Sequence, residues 1–101
     1  MKNRDQAKKA GGSGTFDKKM LELLNAQVRH EFSAAYTYLA MSAWFESIDL
    51  RGFAHWYRIQ AQEEALHATK YVDYIQQRQG RLTLGAIDSP PAAWDSPVEV
   101  F

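Results

Sequence analysis

Two carboxylates and an imidazole stand where amphipathic helices would place apolar side chains. Glu31 fills the gap in the spacing Leu21, Leu24, Val28, Ala35, Tyr38, Ser42, Phe45. Glu64 and His67 form a Glu-x-x-His pair on a second seam running Phe53, Tyr57 (or Trp56), Gln60, Glu64, His67, Tyr71, Tyr74, Arg78. Residues three apart on a helix share a face. An ionised carboxylate in an apolar core is costly unless paired or metal-bound. Oxygen-rich ligands with one imidazole suit iron or manganese, and zinc is compatible. The plain alternative is a solvated Glu64 with His67 packed as a core imidazole, because an isolated Glu-x-x-His is common on exposed helices. Glu63 lies off the seam, and His30 and His55 have no matched carboxylate, so all three read as surface residues. Tyr36, Trp44, Phe53, Trp56 and Tyr71 read as packing residues.

The elements that must position these groups follow from periodicity and punctuation. Residues 1–15 form a basic, Gly-rich tail, with Lys2, Arg4, Lys8 and Lys9 ahead of Gly11-Gly12-Ser13-Gly14, a composition that makes a flexible linker. The first seam predicts a helix that Asp17 caps, with Phe16 stapled onto Leu21, ending near Glu46 or Ser47. Asp49 is the candidate N-cap of a second helix, and Gly80 its stop. The short connection requires an antiparallel hairpin over residues 16–80. With the turn centred between Ser47 and Ile48, Glu31 and Glu64 stand equally far from it on opposite helices and meet at one level. His67 lies about one turn farther from the hairpin end, and Tyr38 about two turns nearer. These groups make half of a dinuclear metal site.

Residues 81–101 differ. Pro90, Pro91 and Pro97 exclude a regular helix over most of the segment. Ser96-Pro97-Val98-Glu99 reads as an N-cap, a proline at the first helical position and the start of a capping box. The expected segment is an extended crossover leading into a third helix.

Composition narrows the function classes. The chain has 101 residues, enough for one small domain, with 12 basic and 12 acidic side chains. This balance gives no reason to expect a nucleic-acid partner. The absence of cysteine excludes a disulfide framework and a thiol nucleophile. No apolar run reaches the roughly 18 residues of a membrane span, and the polar start does not read as a secretory signal, so a cytoplasmic location is expected. Two amphipathic helices cannot bury both seams against each other, and small chains of this kind usually need oligomerisation. A second copy related by a two-fold axis would complete a four-helix bundle. It would bring two Glu and two Glu-x-x-His together, the ligand set of carboxylate-bridged dinuclear bundles.

The segments LNAQVRHEFSAAYTYLAMSAWF and GFAHWYRIQAQEEALHATKYVDYI resemble the first two helices of bacterial non-haem ferritins. The joint occurrence of NAQ-x₃-E, YLAMSAW and AQEEALH carries the likeness, which runs from about Asp17 to Phe101 and includes a crossover-like Ile87-Asp88-Ser89-Pro90. The resemblance implies an all-α, ferritin-like protein that oxidises Fe(II) with dioxygen at a di-iron site, for iron storage or detoxification. It implies Glu31 as an iron ligand, Glu64 as a bridge between two irons, His67 as a ligand to one, and Tyr38 as the site-adjacent tyrosine. Glu63 matches a position that helps bind an extra iron in some members. The third- and fourth-helix ligands of that family have no counterpart in this sequence. Ala65 stands where haem-binding relatives place a methionine, so no haem is expected. The competing expectation is a half-ferritin fragment that assembles as a structural bundle without turnover.

Overall fold

The computed structural model describes residues 17–101. The tail and the Phe16 staple lie outside the described residues. Among the described residues three helices occur in order: α1 (Lys18–Ser47), α2 (Arg51–Gln77) and the short α3 (Pro97–Val100). Among the described residues there is no strand. The fold is all-α, and α1 and α2 form the expected antiparallel hairpin.

Asp17 opens α1 in an extended conformation, and its Oδ1 accepts the Met20 N–H at 2.7 Å. This satisfies one of the four amide donors that a helix start leaves without a partner. Both long helices end in the same hydrogen-bonded motif. After α1, Asp49 N–H donates to the Glu46 carbonyl at 3.1 Å and Leu50 N–H to the Phe45 carbonyl at 3.0 Å. After α2, Gln79 N–H donates to Gln76 at 3.0 Å and Gly80 N–H to Ile75 at 2.8 Å. This paired closure requires a left-handed residue at the first position past the cap.

Two expectations are corrected here. Asp49 does not cap α2; at φ 64 it is the left-handed residue that closes α1. The position before α2 belongs to Leu50, which makes no side-chain cap. Nor is Gly80 the left-handed stop of α2, since Gln79 takes that role at φ 62. Gly80 is instead required by space. A Cβ there would lie 3.0 Å from Leu21 Cδ1 and 3.1 Å from Ile75 Cγ2. At α3, Ser96 is at the N-cap position with Pro97 following, but its side chain makes no capping bond.

The stripe of α2 that α1 covers also differs from the expected seam. The residues buried on α2 are Ala54, Tyr57, Ala61, Ala68 and Ile75. Of the expected seam, Tyr57 lies in this stripe, whereas Phe53, Gln60, Glu64, His67, Tyr71, Tyr74 and Arg78 lie beside it, with Phe53 and Tyr74 more than two-fifths exposed. Alanines seven residues apart let the backbones approach, and Ser42 Oγ donates to the Ala54 carbonyl at 2.6 Å within the contact. On α1, Val28, Ser42 and Phe45 are buried where the seam places them. Tyr38 meets Tyr57 across the hairpin at 5.8 Å between ring centroids. The pairs Tyr38–Tyr57 and Glu31–Glu64 are both centred between Ser47 and Ile48, the register expected from the sequence.

Residues 81–96 return along the hairpin without regular structure. Asn25 clasps this strap where it begins. Its Nδ2 donates to the Arg81 carbonyl at 3.1 Å, and its Oδ1 accepts the Thr83 N–H at 2.8 Å. Farther along, Gly85 passes under Arg29, where a Cβ would meet Arg29 Cδ at 3.0 Å. At the turn end Trp94 packs on Trp44 at 5.6 Å, and Phe101 meets Phe53 at 5.1 Å. A core of Phe45, Ala54, Tyr57 and Val100 closes this end, with Tyr38, Met41, Trp44, Leu50 and Trp94 packed around it. No helix among the described residues is long and apolar enough to cross a membrane.

Candidate metal centre

Midway along the hairpin, α1 contributes Glu31 and α2 contributes Glu64 and His67. One ligand atom from each lies within 4.8 Å of the others, and they form the one such group of three among the described residues. His67 Nδ1 is 3.7 Å from Glu31 Oε1 and 3.6 Å from Glu64 Oε1. At these distances the imidazole faces both carboxylates without a short hydrogen bond to either. The side chains of Glu31 and Glu64 are 13% and 24% exposed, and that of His67 is 51% exposed. The trio thus opens onto the uncovered face of the hairpin rather than into the seam between α1 and α2.

The two carboxylates respond in opposite directions to the bond they share. Hydrogen bonding to Glu64 lowers the Glu31 pKa, with burial opposing and Gln27 and His67 assisting. Hydrogen bonding to Glu31 raises the Glu64 pKa, and burial and the Glu31 charge push the same way. Glu31 therefore ionises more readily than Glu64. Gln27, one turn before Glu31, donates its Nε2 to Glu31 Oε2 at 2.6 Å. A cation entering among these groups would favour the ionised form of both carboxylates.

The structure thus brings together Glu31, Glu64 and His67, all three candidates read from the sequence. Tyr38 lies on the same stripe of α1 but outside this trio, packed on Tyr57. His30, His55 and Glu63 are exposed, as expected for surface residues. Sequence reasoning missed Gln27, although its spacing of four from Glu31 was a usable signal. It also missed Lys70, which with Glu31, His67 and Tyr71 lines a cavity of about 330 Å³ beside the trio. Nothing local in the sequence marks Lys70, because its position depends on which face of α2 stays open.

A hairpin carrying Glu on one helix and Glu-x-x-His on the other is half of a carboxylate-histidine four-helix bundle. The chain belongs to the ferritin family: residues 21–101 match the model of the ferritin-like domain. It is 41% identical over 83 residues to a bacterial non-heme ferritin of Bacteroides fragilis, covering 82% of this chain and 52% of that protein. It is 40% identical over 85 residues to one of Staphylococcus saprophyticus, covering 84% and 51%. Among solved structures, an open pore ferritin from the hyperthermophilic archaeon Archaeoglobus fulgidus superposes with a TM-score of 0.79 at 46% identity, over 83% of this chain and 52% of that one. Chlorobium tepidum ferritin superposes with a TM-score of 0.81 at 35% identity, over 85% and 52%. The chain spans about half the length of the curated relatives it matches.

Proposed function

We propose that the chain binds Fe(II) and oxidises it to Fe(III) with dioxygen, for iron storage or detoxification, at a di-iron site completed by a second copy. The observation that carries this reading is the convergence of Glu31, Glu64 and His67 within 4.8 Å on the uncovered face of the hairpin. A two-fold related copy would place its own trio opposite and cover that face. Six protein ligands would then include four carboxylates, enough to neutralise two Fe(II) ions. Each Fe(II) gives one electron to dioxygen, leaving two Fe(III) and dioxygen reduced by two electrons.

The residues have distinct roles in this reading. Glu64 would supply a carboxylate able to serve both ions, in its ionised form. Glu31 is held in place by Gln27 and ligates one ion. His67 would supply one imidazole nitrogen as a ligand. Tyr38 stands by as a donor of an additional electron.

A second reading, a structural bundle without turnover, draws support from the three-ligand count, since three groups are half of the required set. Fe(II) oxidation by the purified protein, compared with a His67→Ala variant, separates the two. Turnover that disappears in the variant supports the first reading. Equal rates in both proteins would sink it. Native mass measurement tests the second copy, and a monomer that oxidises iron would refute the shared site.

A further inference from the structure

The face that carries the trio continues to the turn end of the hairpin, and α3 packs on it there. On α1, Glu31, Tyr38 and Phe45 recur every seven residues, and on α2, Phe53 precedes Glu64 by 11, so Phe45 and Phe53 share the faces of the two carboxylates. They stand about 16–21 Å from the trio, toward the turn. The Phe101 ring lies 5.9 Å from that of Phe45, 5.1 Å from Phe53 and 6.2 Å from Tyr57. Val100 is 9% exposed and belongs to the core that contains Phe45 and Tyr57. A second copy needs the same surface, and two rotations bring two trios face to face. A two-fold axis across the helices sends the open end of each hairpin to the turn end of the other. Met20 and Tyr74, 46% and 43% exposed, stand about 15–16 Å from the trio on the open side. Each copy then delivers them to the level of Phe53 in the other, where Phe101 lies. An axis along the helices joins turn end to turn end and sets one α3 against the other. In both arrangements four long helices cannot close along the whole face while α3 stays in place.

We propose that α3 with Phe101 is a displaceable plug, which closes the turn end of this face in a single hairpin and leaves when a second copy docks. It rests on the reading that a second copy completes the metal site. The strap gives α3 the freedom to leave, because residues 81–96 have no regular structure. The two hydrogen bonds that Asn25 makes to Arg81 and Thr83 lie at the start of the strap, so α3 can swing out while the clasp holds. The plug itself is short, and Ser96 adds no capping bond to it. When the binding-competent state is only partly populated, the apparent affinity falls by that fraction. Both chains must open, so the fraction enters twice. Metal that binds the assembled form draws α3 off by mass action. Release of the plug and retention of metal thus become one equilibrium.

The test follows dimerisation of the full chain with Zn²⁺ by analytical ultracentrifugation. Phe101→Ser removes the ring contacts on Phe45 and Phe53 from a residue that is 68% exposed, so the hairpin core is kept. This variant is expected to dimerise at least tenfold more tightly than the parent, whereas loss of a merely structural contact would not tighten assembly. A second variant carries Phe53→Cys and Phe101→Cys in a chain that has no other cysteine, and bis-maleimidoethane joins the two thiols within one chain. The linked protein is expected to stay monomeric at concentrations where its unlinked form dimerises. Equal or weaker dimerisation of Phe101→Ser would overturn the plug and leave the second copy standing, as would a linked protein that dimerises like the unlinked one. If neither the parent nor any variant dimerises with Zn²⁺, the shared site falls and the plug with it.

Discussion

At the scale of single residues, the opposite shifts of Glu31 and Glu64 tie the metal-free fold to pH. The folded pKa of Glu64 is raised, so its contribution to stability is present below the unfolded value and is lost as pH rises through the folded value. Glu31 has the opposite sign: its contribution is present above the unfolded value and is lost as pH falls through the lowered one. Replacing Glu64 with Gln keeps a donor for Glu31 and removes the ionisable group. Metal-free Glu64→Gln protein is therefore expected to melt at a higher temperature than the parent at neutral pH, with the difference closing in acid. Thermal melts across a pH series check this, and a variant less stable than the parent at neutral pH would contradict it. The trio itself was legible from the sequence, because polar residues interrupting an apolar repeat must be paired, ligated or exposed. Its surroundings were less so: the direction of the Gln27 amide and the placement of Lys70 depend on side-chain geometry and on the open face.

At the scale of elements, both helix ends use left-handed residues other than glycine. A left-handed L-residue costs about 1–2 kcal/mol, partly offset in a glycine substitution by the larger entropy of the unfolded chain. Gln79→Gly is thus expected to stabilise the protein by about 0.5–1 kcal/mol. Asp49→Gly should gain less, because aspartate tolerates this conformation. Urea titration of both variants checks the ranking. The alanine stripe makes the opposite prediction for added volume. Ala68 is fully buried where α1 and α2 meet, so Ala68→Leu should cost about 1–3 kcal/mol by overpacking. An unchanged urea midpoint would show that the helices separate easily. Helix existence, the Asp17 cap and the register were readable from periodicity. The covered stripe of α2 was not, because alanines give a weak hydrophobic signal beside Phe53, Tyr71 and Tyr74. Asp49 was misread for a related reason: aspartate suits both a helix start and a left-handed turn, and the two sites are adjacent.

At the scale of the whole molecule, the proposed function requires the uncovered face to couple assembly to metal. Leu23, Phe53 and Leu66 are each more than two-fifths exposed on the hairpin. A ligand that binds only the assembled form stabilises it by mass action. Zn²⁺, which has no redox chemistry, is expected to raise both the dimer fraction and the melting temperature of the parent, and to do neither in Glu64→Ala. Analytical ultracentrifugation with parallel melts measures both, and equal responses in the two proteins would rule out the seam carboxylates as ligands.

The strap clasped by Asn25 also sets direction. A tight loop after Gln77 would start the next helix at the far end of the hairpin, antiparallel to α2. The extended return instead delivers the chain to the turn end, where Pro97 opens α3 beside the core formed by Phe45 and Tyr57. α2 and α3 therefore start at the same end, and a helix continuing α3 along the hairpin would run parallel to α2. This is the polarity of a bundle with one long crossover, secured at its first step by one hydrogen bond that a single amide side chain donates and one that it accepts.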